Sequence, residues 1–157
     1  MELELLLQKL HQAFSSVPIP RERVAPHYCD ECDGIVTFLQ GRDREQLSYV
    51  DLNVFGEGRM HLITPEAIQY YFPQIIEKAL SPDGSDLLKD IVYYLDFYST
   101  RSGSQVALYS SSQFVLFTED QQQAMLDFLT FIKADRSSDV VEHMLEDELE
   151  NAIRNWS

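Results

Sequence analysis

The segment Thr64-Pro65-Glu66-Ala67-Ile68-Gln69-Tyr70-Tyr71-Phe72-Pro73-Gln74-Ile75-Ile76-Glu77-Lys78-Ala79-Leu80 decides the fold class. Thr64 is a good N-cap, Pro65 suits the first helical position, and Glu66 complements the positive end of the helix dipole. Ile68, Tyr71, Phe72, Ile75, Ile76, Ala79 and Leu80 then recur at three- and four-residue intervals, the period of an amphipathic helix. Pro73 has no N–H to give the carbonyl of Gln69, so the spacing predicts a kink or a split there.

Upstream, Tyr49, Leu52, Val54 and Phe55 read as a short strand followed by a Gly56-Glu57-Gly58 turn. Cys32, Ile35, Val36, Phe38 and Leu39 predict a helix over about Cys29–Gln40, closed by Gly41 as a left-handed cap. Arg21–Tyr28 is a polar connector. Before it, Leu3, Leu6, Leu7, Leu10, Ala13 and Phe14 form the apolar stripe of an N-terminal helix over Glu2–Ser16. That helix stops at Val17-Pro18-Ile19-Pro20, where the prolines force extended backbone.

Downstream, Ser81-Pro82-Asp83-Gly84 is a turn, and Leu87, Leu88, Ile91, Val92 and Leu95 carry the next helix. Val106-Ala107-Leu108 and Phe114-Val115-Leu116 could pair as a small hairpin. Thr118-Glu119-Asp120-Gln121 is a capping box, opening a helix with Ala124, Met125, Phe128, Leu129 and Ile132 on one face. A last helix is expected from Ser138 or Asp139, with Val141, Met144, Leu145, Leu149, Ala152, Ile153 and Trp156 as its apolar positions. The fold class is therefore mainly α: five to six amphipathic helices around one core, with the hairpin as a minor addition. Residues 1–157 form a single globular domain, of which 138–157 is an acidic amphipathic C-terminal helix, a candidate appendage.

A chain of 157 residues with nine Phe, eight Tyr and one Trp has enough apolar surface to fold without a metal or disulfide. No apolar run reaches the length of a membrane span. Glu2 and Glu4 stand where a signal peptide would carry Lys or Arg, so a cytoplasmic, reducing location is expected. The net charge of −14 is uneven: 12 acids and 7 bases in residues 1–78, but 14 acids and 5 bases in residues 79–157. Such a surface repels phosphate backbones and anionic lipids, which excludes a conventional nucleic-acid or membrane interface. It suits a basic protein partner. Within residues 139–150 there are six acids and no Lys or Arg. With the apolar stripe ending at Trp156, that helix either docks on its own core or engages a partner, a basic protein or a second copy of the chain.

The residues with most chemical promise are His27, Cys29 and Cys32, in His27-Tyr28-Cys29-Asp30-Glu31-Cys32-Asp33. Two thiols spaced C-x-x-C converge across a tight turn, and an imidazole two residues upstream could add a third ligand, a set suited to zinc. A closed site needs a fourth ligand; His61 is the remote candidate, and Asp33 or Asp30 the local one. A redox role fits less well, because Asp30, Glu31 and Asp33 crowd the thiols with negative charge. Alternatively, Cys32 merely packs as a small apolar side chain. There is no G-x-S-x-G, P-loop, G-x-G-x-x-G or H-E-x-x-H. His11 and His143 stand apart in ordinary helical sequence. Tyr70-Tyr71 and Tyr93-Tyr94 read as core fillers, one ring of each pair inside and one at the margin; lining a pocket is their alternative role.

Ala13-Phe14 followed by Val17-Pro18 and Pro20, His27-x-Cys29-x-x-Cys32, Leu62-Ile63-Thr64-Pro65-Glu66-Ala67 with Tyr70-Tyr71-x-Pro73, and Phe117-Thr118-x-x-Gln121 together form a further pattern. It resembles a family of uncharacterised bacterial proteins known only as a domain of unknown function. The resemblance spans residues 3 to 133 and leaves the acidic tail outside. It implies no activity, substrate or cofactor, and it marks the His-Cys-Cys string and Pro73 for attention. The expected function is a non-enzymatic, acidic protein-interaction module, of which immunity- or antitoxin-like neutralisation of a basic toxin is one version. The alternative is a zinc-binding domain centred on His27, Cys29 and Cys32, even a hydrolase.

Overall fold

The computed structural model describes residues 1–97 and 114–157. These residues form seven α-helices and no strand, so the fold is mainly α. In chain order the helices are α1 (Leu3–Ala13), α2 (Asp30–Leu39), α3 (Pro65–Ala79), α4 (Ser85–Phe97), α5 (Glu119–Asp135), α6 (Ser137–Glu142) and α7 (Glu146–Trp156). No helix among the described residues is long and apolar enough to cross a membrane.

Helix α3 is the centre. Thr64 Oγ1 accepts the Ala67 N–H at 3.2 Å, the N-cap bond its sequence promised. Ile68, Tyr70–Ile76, Lys78 and Ala79 are all buried, because α1, α4 and the 44–55 segment pack around it. The helix does not split at Pro73: it runs through it from Pro65 to Ala79. A helix-interior proline costs about 3 kcal/mol. Burying a large apolar side chain gains about 1.5–3 kcal/mol, and Phe72, Ile75 and Ile76 are buried around it, so the packing prevails. At the far end, Gly84 permits the tight return into α4. A Cβ there would stand 2.1 Å from the Lys78 carbonyl oxygen.

Helix α5 packs on α1 and α7, and α7 lies across α4 and α5. The capping box forms in full: Thr118 Oγ1 accepts from Gln121 N–H at 3.3 Å, and Gln121 Oε1 accepts from Thr118 N–H at 3.1 Å. The buried Gln121 amide also donates to the Ala13 carbonyl at 3.1 Å, and Gln69 Nε2 donates to Gln121 Oε1 at 2.9 Å. One side chain thus joins α5 to α1 and α3.

Residues 49–55 form no strand. Asp51–Phe55 is a 3-10 turn with Leu52 and Phe55 both buried, a three-residue spacing. Its start is fixed locally: Asp51 Oδ2 accepts from Ser48 N–H at 2.9 Å, and Ser48 Oγ accepts from Asp51 N–H at 3.2 Å. In the proposed hairpin, Val106-Ala107-Leu108 lies outside the described residues. Phe114-Val115-Leu116 is a turn closed by the Phe117 N–H on the Phe114 carbonyl at 3.0 Å.

The single helix expected from residue 138 is two. Helix α6 ends in a paired reverse turn in which Leu145 N–H reaches the Val140 carbonyl at 2.9 Å and Met144 N–H reaches Val141 at 3.1 Å. This is the Schellman arrangement, and it puts Met144 at φ +54°. The break reassigns the apolar stripe. Val140, Leu145, Leu149, Ala152 and Trp156 turn inward, while Val141 and Met144 stand in solvent. Trp156 Nε1 donates to the Leu95 carbonyl at 3.1 Å, which fastens α7 to α4.

Candidate acidic docking corner

The turn between α6 and α7 carries two exposed apolar side chains, Val141 at 62% and Met144 at 77% relative exposure. Glu142, Glu146, Asp147 and Glu150 are exposed around them. Asp139 and Glu150 are met by Arg136 and Lys133 of the α5 end, whereas Glu142, Glu146 and Asp147 have no ion pair among the described residues. Behind this rim, burial and the neighbouring Glu148 push the Asp96 carboxyl above the usual carboxylate range. The corner is therefore an apolar knob beside three carboxylates that have no ion pair among the described residues, a surface that attracts positive charge.

The strain at Met144 is informative. A left-handed residue at this helix-end position is ordinarily Gly or Asn, because a Cβ there costs roughly 1 kcal/mol. Here a long apolar side chain occupies the position and is buried against nothing. The sequence signalled the acids but not the knob, since Val141 and Met144 both fit a continuous helical stripe.

The His-Cys-Cys string lies elsewhere, at the start of α2. Cys29 is the exposed N-cap, with Sγ accepting the Cys32 N–H at 3.4 Å. Cys32 is fully buried, and its thiol is pushed up chiefly by burial, then by the hydrogen bond with Cys29. His27 is exposed, and its carbonyl accepts from Arg23 at 3.1 Å. His61 packs edge-on against Tyr94 at 5.1 Å and Phe97 at 5.6 Å, where burial lowers its pKa. Asp33 pairs with Arg23. The structure thus brings the two thiols together, and among the described residues no group of three or more His, Cys, Asp or Glu could hold a metal ion.

Of the tyrosines, Tyr93 is at the margin and Tyr94 inside, as its pair predicted. Tyr70 and Tyr71 are both buried, which corrects the same expectation for them. Arg44 is the reason: its backbone N–H donates to Tyr70 Oη at 3.1 Å and its guanidinium lies 4.9 Å over the ring. The same guanidinium donates to the Tyr70 and Phe14 carbonyls at 3.0 and 2.9 Å. Tyr71 Oη lies 2.9 Å from the Leu39 carbonyl oxygen and 2.8 Å from that of Arg42, either of which can accept its one proton, and its pKa is raised to about 12, first by burial and then by Tyr70.

A concavity of about 660 Å³ opens beside Arg44, lined by His11, Tyr49, Leu52, Gln74 and Glu77 among others. His11 Nε2 and Glu77 Oε2 are 3.0 Å apart, and Gln74 Oε1 is buried without a partner. Ser48 also lines it, but its Oγ is engaged by the Asp51 N–H and has no hydrogen bond to His11. Nothing in the sequence pointed to this pairing of residues 11 and 77.

Comparison of the chain with protein-family models, with characterised proteins and with solved structures found no match.

Proposed function

We propose that this protein is a non-enzymatic, acidic partner-binding module that engages a basic protein through the corner between α6 and α7. The observation that carries the reading is Met144: exposed, apolar and in a strained backbone state, beside Val141 and three carboxylates without an ion pair among the described residues. Strain retained at an exposed position is of the kind found at binding sites. An apolar centre ringed by one sign of charge suits an interface whose rim steers a partner of opposite charge. A second copy of the chain fits less well, because pairing would juxtapose two like-charged surfaces of net charge −14 chains. Neutralisation of a basic toxin, in the manner of an immunity protein or antitoxin, is one form such binding takes.

The test uses the intact chain as bait in lysate of its native host, against a Glu142→Lys, Glu146→Lys, Asp147→Lys variant whose circular dichroism matches the parent. The parent retains a protein of high isoelectric point, the variant loses it, and added salt weakens capture by screening exposed charge. A partner retained equally by both, or insensitive to salt, contradicts the reading.

A further inference from the structure

Neither cysteine is used by the docking corner, yet their placement is specific. Cys29 stands at the entrance of α2 with its sulfur in solvent, and Cys32 lies one turn further on, sealed in the core. The Cys29 Sγ accepts the Cys32 N–H at 3.4 Å, and the Cys32 thiol is itself within hydrogen-bonding reach of the Cys29 side chain, so the two sulfurs are neighbours across the turn. Two of the acids that argue against thiol chemistry in the sequence have cationic partners in space, although Glu31 still raises the Cys32 thiol while Arg23 lowers it. Asp33 pairs with Arg23, and Glu31 with Arg59 at 3.4 Å, the latter at the start of the 3-10 turn Arg59–Leu62. Arg23 is itself anchored, donating to the Ala25 and His27 carbonyls at 2.7 and 3.1 Å, so its charge is held beside the turn. Of the three acids in the string, only Asp30 has no ion pair among the described residues.

We propose that Cys29 and Cys32 form a reversible dithiol–disulfide pair, with exposed Cys29 as the entry thiol and buried Cys32 as the resolving thiol. The oxidant is a low-molecular-weight disulfide of the glutathione class. The Cys29 sulfur, having released its proton to solvent, attacks one sulfur of that disulfide. The S–S bond breaks, and one glutathione leaves as thiolate and takes up a proton. Cys32 then gives up its proton and attacks the Cys29 sulfur of the mixed disulfide, expelling the second glutathione as thiol. The two cysteines are oxidised together by two electrons, one disulfide is reduced to two thiols, and no other reactant is needed. Accessibility sets the order, since only Cys29 can meet an oxidant in solution. Adjacency makes the mixed disulfide short-lived.

The experiment incubates the full-length reduced protein with oxidised glutathione, quenches with iodoacetamide and measures intact mass. The wild-type chain is expected to convert to a species lighter by two hydrogens, carrying no glutathione and no alkyl group, and to return with dithiothreitol. Cys32→Ala is expected to stop at one glutathione per chain on Cys29. Cys29→Ala, which removes an exposed side chain and its N-cap bond to the Cys32 N–H, is expected to stay unmodified. A lasting glutathione adduct on the wild type, an intermolecular dimer, or modification of Cys32 in Cys29→Ala at the wild-type rate would each overturn the proposal.

Discussion

Replacing Trp156 by Ala tests whether α7 is part of the core. The indole is buried, its ring centroid is 5.0 Å from Phe114 and 6.5 Å from Phe117, and Nε1 donates to the Leu95 carbonyl at 3.1 Å. Truncating a buried Trp to Ala in a packed core costs about 3–5 kcal/mol. The carbonyl of Leu95 loses its donor in the same step, which places the loss at the upper part of that range. For a chain of this size each kcal/mol corresponds to roughly 2–4 °C, so the melting temperature falls by about 6–20 °C. Urea denaturation followed at 222 nm measures the loss directly, and Trp156→Phe, which keeps the ring contacts, recovers much of it. A Trp156→Ala protein within about 0.5 kcal/mol of the parent, the range of an ordinary surface change, would refute the packing argument and make 138–157 a detachable tail.

Three further outcomes follow from the geometry. Met144→Gly relieves the left-handed strain at the end of α6 and raises the melting temperature by a few degrees, while weakening capture of the basic partner; thermal melts and pull-down read the two effects separately. The folded-state pKa of Asp96 is raised above its unfolded value, so its ionised form costs stability at neutral pH and the cost vanishes as pH falls below about 3.8. Asp96→Asn therefore stabilises the protein at pH 7 and loses that advantage toward pH 3.8, as melts across that range will show. Gln74→Met removes a buried carbonyl oxygen that has no partner and keeps the side-chain length; unfolding free energy rises by about 1 kcal/mol in denaturant titration.

What could be read from the sequence is what is encoded within a few residues. The Thr64 cap and the Thr118/Gln121 box rest on side chains meeting nearby backbone, the Gly41 turn on the positive φ that glycine tolerates, and all three form. The stripes of α1, α3 and α5 were equally visible, because their period repeats over several turns. The helix stays whole at Pro73 because the local cost is overruled by neighbours from other helices. The 49–55 segment misled because the Ser48–Asp51 exchange of hydrogen bonds outweighs the β-branched and aromatic residues around it. The split at His143–Leu145 needed knowledge of which side of the tail faces α4 and α5. For the candidate sites the limit is similar. The six acids of 139–150 are plain in the sequence, but the exposure of Met144 depends on the break. The pairing of Glu31 and Asp33 depends on Arg59 and Arg23, one of them distant in the chain.

The most direct test of the docking corner places a photo-activated cross-linking amino acid at position 144 in the native host, with the same group at exposed Glu119 as a control. The account predicts a light-dependent adduct at 144 to one basic protein, lost when Glu142, Glu146 and Asp147 are reversed in charge and absent at 119. No adduct at 144, or the same adduct at both positions, contradicts it.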